Sequence, residues 1–136
     1  MSSSLVKNEN NQSVNNKKIL IVEDDHMSQM LLSLMLKSFS TNFIYAKNGL
    51  EAITLFKENP DIDIIFMDIN MPEMDGYEAT KIIRETNKEV IIIAQTAFAL
   101  SGDKEKALNS GCNDYITKPI NKAKIHSLIL KYLMKK

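Results

Sequence analysis

The chain has one cysteine, Cys112, no tryptophan, three prolines and four glycines in 136 residues. A single cysteine forbids an internal disulfide, and with no CxxC pair or Cys/His cluster there is nothing from which to build a zinc site. Net charge is missing as well. Seventeen basic residues balance 17 acidic ones, which removes the general electrostatic case for binding nucleic acid. No apolar run approaches the roughly 20 residues needed to cross a bilayer. The expectation is a cytoplasmic protein that makes no direct contact with nucleic acid and none with a membrane through this segment.

What is present suits one domain with a real core: 44% of the residues are hydrophobic, and the length is too short for two ordinary domains. Residues 1–16, MSSSLVKNENNQSVNN, are Ser-, Asn- and Gln-rich. They hold too little apolar area to offset the entropy of ordering them, so a flexible tail or linker is expected there and a folded domain over 17–136.

Short apolar runs at Ile19–Val22, Phe43–Ala46, Ile62–Met67, Val90–Ala94 and Asp114–Thr117 read as strands. Between and after them, helical spacing predicts helices over 26–39, 50–58, 77–86, 101–110 and 121–134. In the first helix Leu31, Leu32, Met35, Leu36 and Phe39 are expected to face the core, with the acids before His26 supplying its cap. Asn48-Gly49 reads as a turn, Pro60, Pro72 and Gly76 as breaks, Ser101 as an N-cap and Gly111 as a helix stop. Strict alternation of strand and helix predicts a doubly wound α/β domain. Five strands favour a parallel sheet in the flavodoxin-like order 2-1-3-4-5 with five helices, which sets strands 1 and 3 side by side at the switch point.

Ligands of such sheets bind beyond the carboxyl ends of the strands. Those ends carry Glu23 and Asp24, then Asp68, Thr96 and Lys118. Asp68 alone would most simply serve a turn, but independent turn residues need not converge in this way. Three clustered carboxylates repel one another unless a cation neutralises them, and Mg2+ suits a site that also receives phosphate oxygens. A hydroxyl and a fixed ammonium beside the acids would complete a phosphoryl cradle. Glu23 and Asp24 crowd each other and suit the metal. Asp68 stands between metal and Lys118, placed to accept a phosphoryl group as an acyl phosphate.

IVEDD at 21–25, MDINMPEMDG at 67–76, TA at 96–97 and YITKP at 115–119 together resemble the receiver domain of two-component response regulators, over a match from about Lys17 to the chain end. The wording of residues 94–120 is most similar to receivers attached to hybrid sensor histidine kinases. The resemblance implies that Asp68 is phosphorylated and that Asp24, Asp68 and the backbone carbonyl of Asn70 bind Mg2+, with Glu23 acting through water. It implies that Thr96 and Lys118 hold the phosphoryl oxygens, that Tyr115 swings as Thr96 moves, and that the Lys118–Pro119 peptide is cis. It also implies a histidine kinase or histidine phosphotransfer domain as donor, a changed face over 101–134 as output, and room for a weak homodimer. Its catalysis would be confined to its own phosphorylation and dephosphorylation.

The rival reading is a Mg2+-dependent phosphatase of haloacid dehalogenase type. That family needs an acid two residues after its nucleophile, and here the residue is Asn70, whose amide cannot exchange protons. Met27, Met30 and Leu34 form a second apolar stripe on the first helix, a docking surface for a helical bundle if it is not covered. Gln95 stands where the family commonly has an aliphatic residue, and its amide either faces the site or lies on the other side of the strand. His26 and His126 are expected to be ordinary rim and surface residues, and Cys112 a buried small side chain.

Overall fold

The computed structural model describes residues 17–71, 74–97 and 102–133. The expected tail over 1–16, Pro72 as a break and Ser101 as a cap lie outside the described residues. Strands and helices alternate as β1 (Lys18–Val22), α1 (His26–Leu36), β2 (Asn42–Ala46), α2 (Gly49–Glu58), β3 (Ile64–Asp68), α3 (Gly76–Thr86), β4 (Ile91–Thr96), α4 (Asp103–Ser110), β5 (Asp114–Thr117) and α5 (Lys122–Leu133). All strand pairs are parallel, and the sheet runs β2-β1-β3-β4-β5, the expected order.

The continuous apolar runs of β1, β3 and β4 are explained by burial on both faces. Leu20, Val22, Ile65, Met67 and Ile92 pack against Ala52 and Phe56 of α2, Ala79 and Ile83 of α3 and Ala107 of α4. Ile19, Ile21, Ile64, Phe66 and Ile93 pack on the opposite face against Leu32 and Leu36 of α1 and Ile125 and Ile129 of α5. Each such side chain contributes roughly 1.5–3 kcal/mol over leaving it in water. The same alternation continues past the strands, so that Glu23, Asp68, Gln95 and Lys118 emerge on the α1/α5 face.

Short polar side chains start the helices. Asp25, Asn48, Asp75 and Asn121 each accept a hydrogen bond from the backbone N–H three residues on. Asn48 is thus a cap rather than a turn residue, and α2 begins one residue early, at Gly49. Gly102, at φ +89°, precedes α4 without a side-chain cap. Gly111 ends α4 at φ +114°, where a Cβ would also lie 2.7 Å from Cγ of Arg84. The Arg84 guanidinium holds that corner through Gly111 O at 2.8 Å and Asn113 Oδ1 at 2.9 Å.

Three expectations are corrected. The first helix stops at Leu36, three residues short of Phe39. Leu31 is 54% exposed rather than core-facing, because Leu32 and Leu36 occupy the buried stripe. His126 is half-buried: its Nε2–H donates to the Met35 carbonyl at 2.9 Å and its ring meets Phe39 edge-on, 4.6 Å between centroids. Both partners lie about 90 positions earlier in the chain, out of reach of any local pattern. Cys112 is buried as expected, and burial pushes its thiol up to about 11, which leaves it inert at neutral pH. No helix among the described residues is long and apolar enough to cross a membrane.

Candidate functional site

The turn out of β1 places three acids in three environments. Glu23 is buried, and its Oε2 accepts from the Asp25 N–H at 3.1 Å. Asp24 is exposed on the rim. Asp25 is spent on capping α1, accepting from Ser28 N at 3.0 Å and from its hydroxyl at 2.7 Å. Gln29, one turn into α1, ties the corner down by donating Nε2–H to the Glu23 carbonyl at 2.7 Å.

Asp68 closes β3, the central strand, and is only 2% exposed. One carboxylate oxygen accepts the Asn70 backbone N–H at 2.9 Å, a tight turn that carries the chain out of the sheet. The other accepts from Lys118 Nζ at 3.1 Å, and the same ammonium reaches Glu23 Oε1 at 2.7 Å. Lys118 comes from the end of β5, where the Lys118–Pro119 peptide is cis and the Lys118 N–H donates to the Thr96 carbonyl at 2.8 Å.

Oxygens of Glu23, Asp24 and Asp68 lie within 4.8 Å of one another. One ammonium stands against three carboxylates. Burial pushes the Glu23 carboxyl above its ordinary value, against the hydrogen bond from Lys118. Burial alone would lower the Lys118 ammonium, but the Glu23 hydrogen bond and the Asp68 charge outweigh it and hold it raised, so it stays a cation. An excess of hard anionic oxygens, one of them open to solvent at Asp24, fits a divalent cation of the Mg2+ type.

Thr96 ends β4 as a buried hydroxyl and donates to Asn70 Oδ1 at 3.3 Å, while the Ala97 N–H reaches the same oxygen at 3.2 Å. The Asn70 side chain therefore bridges the ends of β3 and β4, a role missed in the sequence, where its carbonyl was assigned to the metal and its amide served only to disfavour a phosphatase. An Asn two residues after a strand-ending Asp is a turn signal that could have suggested it. Tyr115 sits half-buried against the α3/α4 side of the core. Met27, Met30 and Leu34 are 66%, 49% and 60% exposed, and with Leu31 they make an uncovered apolar strip beside the acids. Gln95 belongs to the site side of its strand, lining the same cavity as Glu23 and Lys118.

Comparison with known proteins agrees with this geometry. Hybrid signal transduction histidine kinase I of Dictyostelium discoideum is 40% identical over 121 residues, an overlap of 83% of this chain and 7% of that protein. The chain thus spans a small fraction of that relative. Among solved structures, a complex of the Saccharomyces cerevisiae phosphotransfer protein Ypd1 with the Ssk1 receiver domain matches at TM-score 0.80 and 38% identity. That overlap takes in 87% of this chain and 89% of the other. The receiver domain of sensor histidine kinase PA1611 from Pseudomonas aeruginosa PAO1, solved with magnesium in its active-site cleft, matches at TM-score 0.78 and 35% identity. Here 88% of this chain and 98% of the other are covered. The response regulator receiver domain family matches residues 19–130, a stretch that takes in all five strand ends. This chain belongs to that family, the receiver domains of two-component phosphorelays.

Proposed function

We propose that Asp68 accepts a phosphoryl group from a phosphohistidine on a histidine kinase or histidine phosphotransfer domain. A carboxylate oxygen of Asp68 attacks phosphorus, the P–N bond breaks with its electron pair left on the imidazole, and the product is an acyl phosphate. The observation that carries this reading is the buried Asp68 carboxylate. It is held at the end of the central strand between the Asn70 N–H and Lys118 and within 4.8 Å of two further acids. Mg2+ would be held by Asp24, Asp68 and the Asn70 carbonyl, with Glu23 acting through water, and would neutralise charge on the transferring oxygens. Lys118, already beside the acceptor, and the Thr96 hydroxyl meet the phosphoryl oxygens. Asn70 presents an amide where the dehalogenase-type phosphatases have an acid, and its oxygen is occupied by Thr96 and Ala97, which favours a signalling acyl phosphate over rapid hydrolysis. The phosphorelay unit on this reading runs from Lys17 onward, with 1–16 as a tail or linker, in the cytoplasm and without nucleic acid or membrane as partner.

Asp24→Asn tests the metal assignment. Removing a direct anionic ligand is expected to weaken Mg2+ binding at least about tenfold and to slow acetyl-phosphate acceptance with it. Titration with Mg2+ checks the first effect and intact mass the second. Unchanged Mg2+ affinity places the metal elsewhere.

The exposed strip on α1 is the natural seat for the donor's helices. Charge at both Met30→Glu and Leu34→Glu is expected to slow transfer from a phosphohistidine protein about tenfold or more, by loss of apolar contact. Acceptance from acetyl phosphate stays within about twofold, because that donor needs no docking. Equal losses with both donors overturn the docking role.

In this structure the Thr96 hydroxyl is given to Asn70. A phosphoryl group on Asp68 adds charged oxygens that compete for it, and a Thr96 drawn toward them leaves space for Tyr115 of β5 to turn inward. The face of α4, β5 and α5 would report the change. Thr96→Ala is therefore expected to accept phosphate yet fail to transmit it. Chemical-shift changes on adding beryllofluoride with Mg2+ reach Tyr115 in the parent and stop short of it in the variant. An equal Tyr115 response in both excludes Thr96 as the coupling group.

A further inference from the structure

Helix α1 ends without the usual devices. Its last turn holds no basic side chain, and Lys37 after it keeps a right-handed φ of −58° where a left-handed glycine would turn the chain back. Its last three carbonyls are met in two ways. Those of Leu34 and Leu36 accept from local amides, Lys37 N at 3.4 Å for the first and Phe39 N and Ser40 N at 2.9 and 3.1 Å for the second. The Met35 carbonyl between them accepts from α5, through His126 Nε2 at 2.9 Å. A carbonyl can only accept, so Nε2 carries the proton. The Phe39 ring meets the imidazole edge-on, 4.6 Å between centroids, and holds its orientation.

We propose that His126 is a positioning residue for phosphoryl transfer from the protein donor: it caps α1 from α5 and so sets the pose of the apolar strip on which that donor docks. Leu34 is the last residue of the strip, 60% exposed and joined in the chain to Met35. At the other end of α1, Gln29 donates to the Glu23 carbonyl at 2.7 Å. The strip thus hangs between two anchors, one at the acids and one on α5. With the second anchor gone the far turn frays, because a terminal carbonyl without a partner favours local opening. His126 acts through Met35 and Leu34 and meets no phosphoryl oxygen itself. Its role in transfer rests on Asp68 as acceptor and on the α1 strip as the donor's seat; the cap does not.

Two substitutions in the full chain make the test. His126→Phe keeps a ring against Phe39 and removes the N–H, whereas His126→Gln gives up the ring and keeps an N–H at similar reach. In His126→Phe the KM for a histidine phosphotransfer domain phosphorylated on its histidine is expected to rise at least about threefold, because only molecules with the last turn in place bind at full strength. The saturated transfer rate and the acceptance from acetyl phosphate should stay within about twofold of the parent. His126→Gln should bring KM back toward the parent value. Amide hydrogen exchange at Lys37, Phe39 and Ser40 should quicken about fivefold in His126→Phe, the factor of one lost net hydrogen bond, with the strands unchanged. If His126→Phe does not fold, His126→Asn, whose amide falls short of Met35, takes its place. An unchanged KM overturns the positioning role, as do equal losses with both donors or a His126→Gln protein as impaired as His126→Phe. Unchanged exchange overturns the cap. A parent that accepts from acetyl phosphate but not from the protein donor also overturns the role in transfer. If the parent accepts from neither, the reading of Asp68 fails while hydrogen exchange still decides the cap.

Discussion

Asp68→Asn is expected to abolish phosphoryl acceptance while leaving the fold intact. Incubated with Mg2+ and acetyl phosphate, the parent protein should gain the mass of one phosphoryl group and the variant should gain none. The effect is all-or-none because an acyl phosphate needs a carboxylate oxygen as nucleophile, and a neutral amide is both a poor nucleophile and a weaker metal ligand. Stability should stay within about 1–2 kcal/mol. The substitution removes a buried ion pair with Lys118, but it also removes one of three mutually repelling carboxylates, and Lys118 keeps Glu23 at 2.7 Å. A phosphoryl adduct persisting in Asp68→Asn would move the acceptor to another residue.

The largest loss of stability is expected from Gly76→Ala. Gly76 opens α3 directly against the end of β3, where an added Cβ would stand 2.6 Å from the Asp68 carbonyl oxygen and 2.9 Å from Cα of Ile69. Both are backbone atoms, of the acceptor residue and of the one that follows it, so the clash cannot be relieved by turning a side chain. Alanine gains at most about 1 kcal/mol over glycine in helix propensity, whereas forced separation of packed backbone costs about 3 kcal/mol or more. A melting temperature lower by about 10 °C follows, with acceptance at Asp68 impaired in the protein that remains folded. Gly102→Ala is the contrast: φ is +89°, but nothing lies within 4 Å of the added Cβ, so the cost is conformational and about 1 kcal/mol. Urea denaturation of both variants checks the ranking. A Gly76→Ala protein as stable as the Gly102→Ala one would show that α3 can move off the strand.

These two glycines mark the boundary of what could be read from the chain. In the sequence Gly76 is only a break before a helix; the reason for glycine there is an approach between two elements whose distance no local pattern encodes. Asn70 is similar, since its side-chain bridge to Thr96 and Ala97 spans 26 and 27 positions. His126 looks like surface because nothing in α5 announces that Met35 and Phe39 will cover it. Leu31 and Met35 both satisfy helical spacing, and only the angle at which α1 lies on the sheet leaves Leu31 out and turns Met35 partly in.

By itself the sequence determined the alternation of strand and helix, because doubly buried strands must be continuous apolar runs and helices must show a stripe. From that it determined that Glu23, Asp24, Asp68, Thr96 and Lys118 gather at one edge, since parallel strands all end on the same side of a sheet. Tertiary structure alone decided how those groups share their charges: one ammonium between two buried acids, Glu23 and Asp68, with the remaining acid, Asp24, left open to solvent. It alone decided that the Gln95 amide faces the site rather than the opposite side of β4. The physical reason is common to both. Burial and hydrogen bonding depend on distances between residues far apart in the chain, and those are set when helices pack on the sheet, whereas periodicity records only which side of an element must leave water.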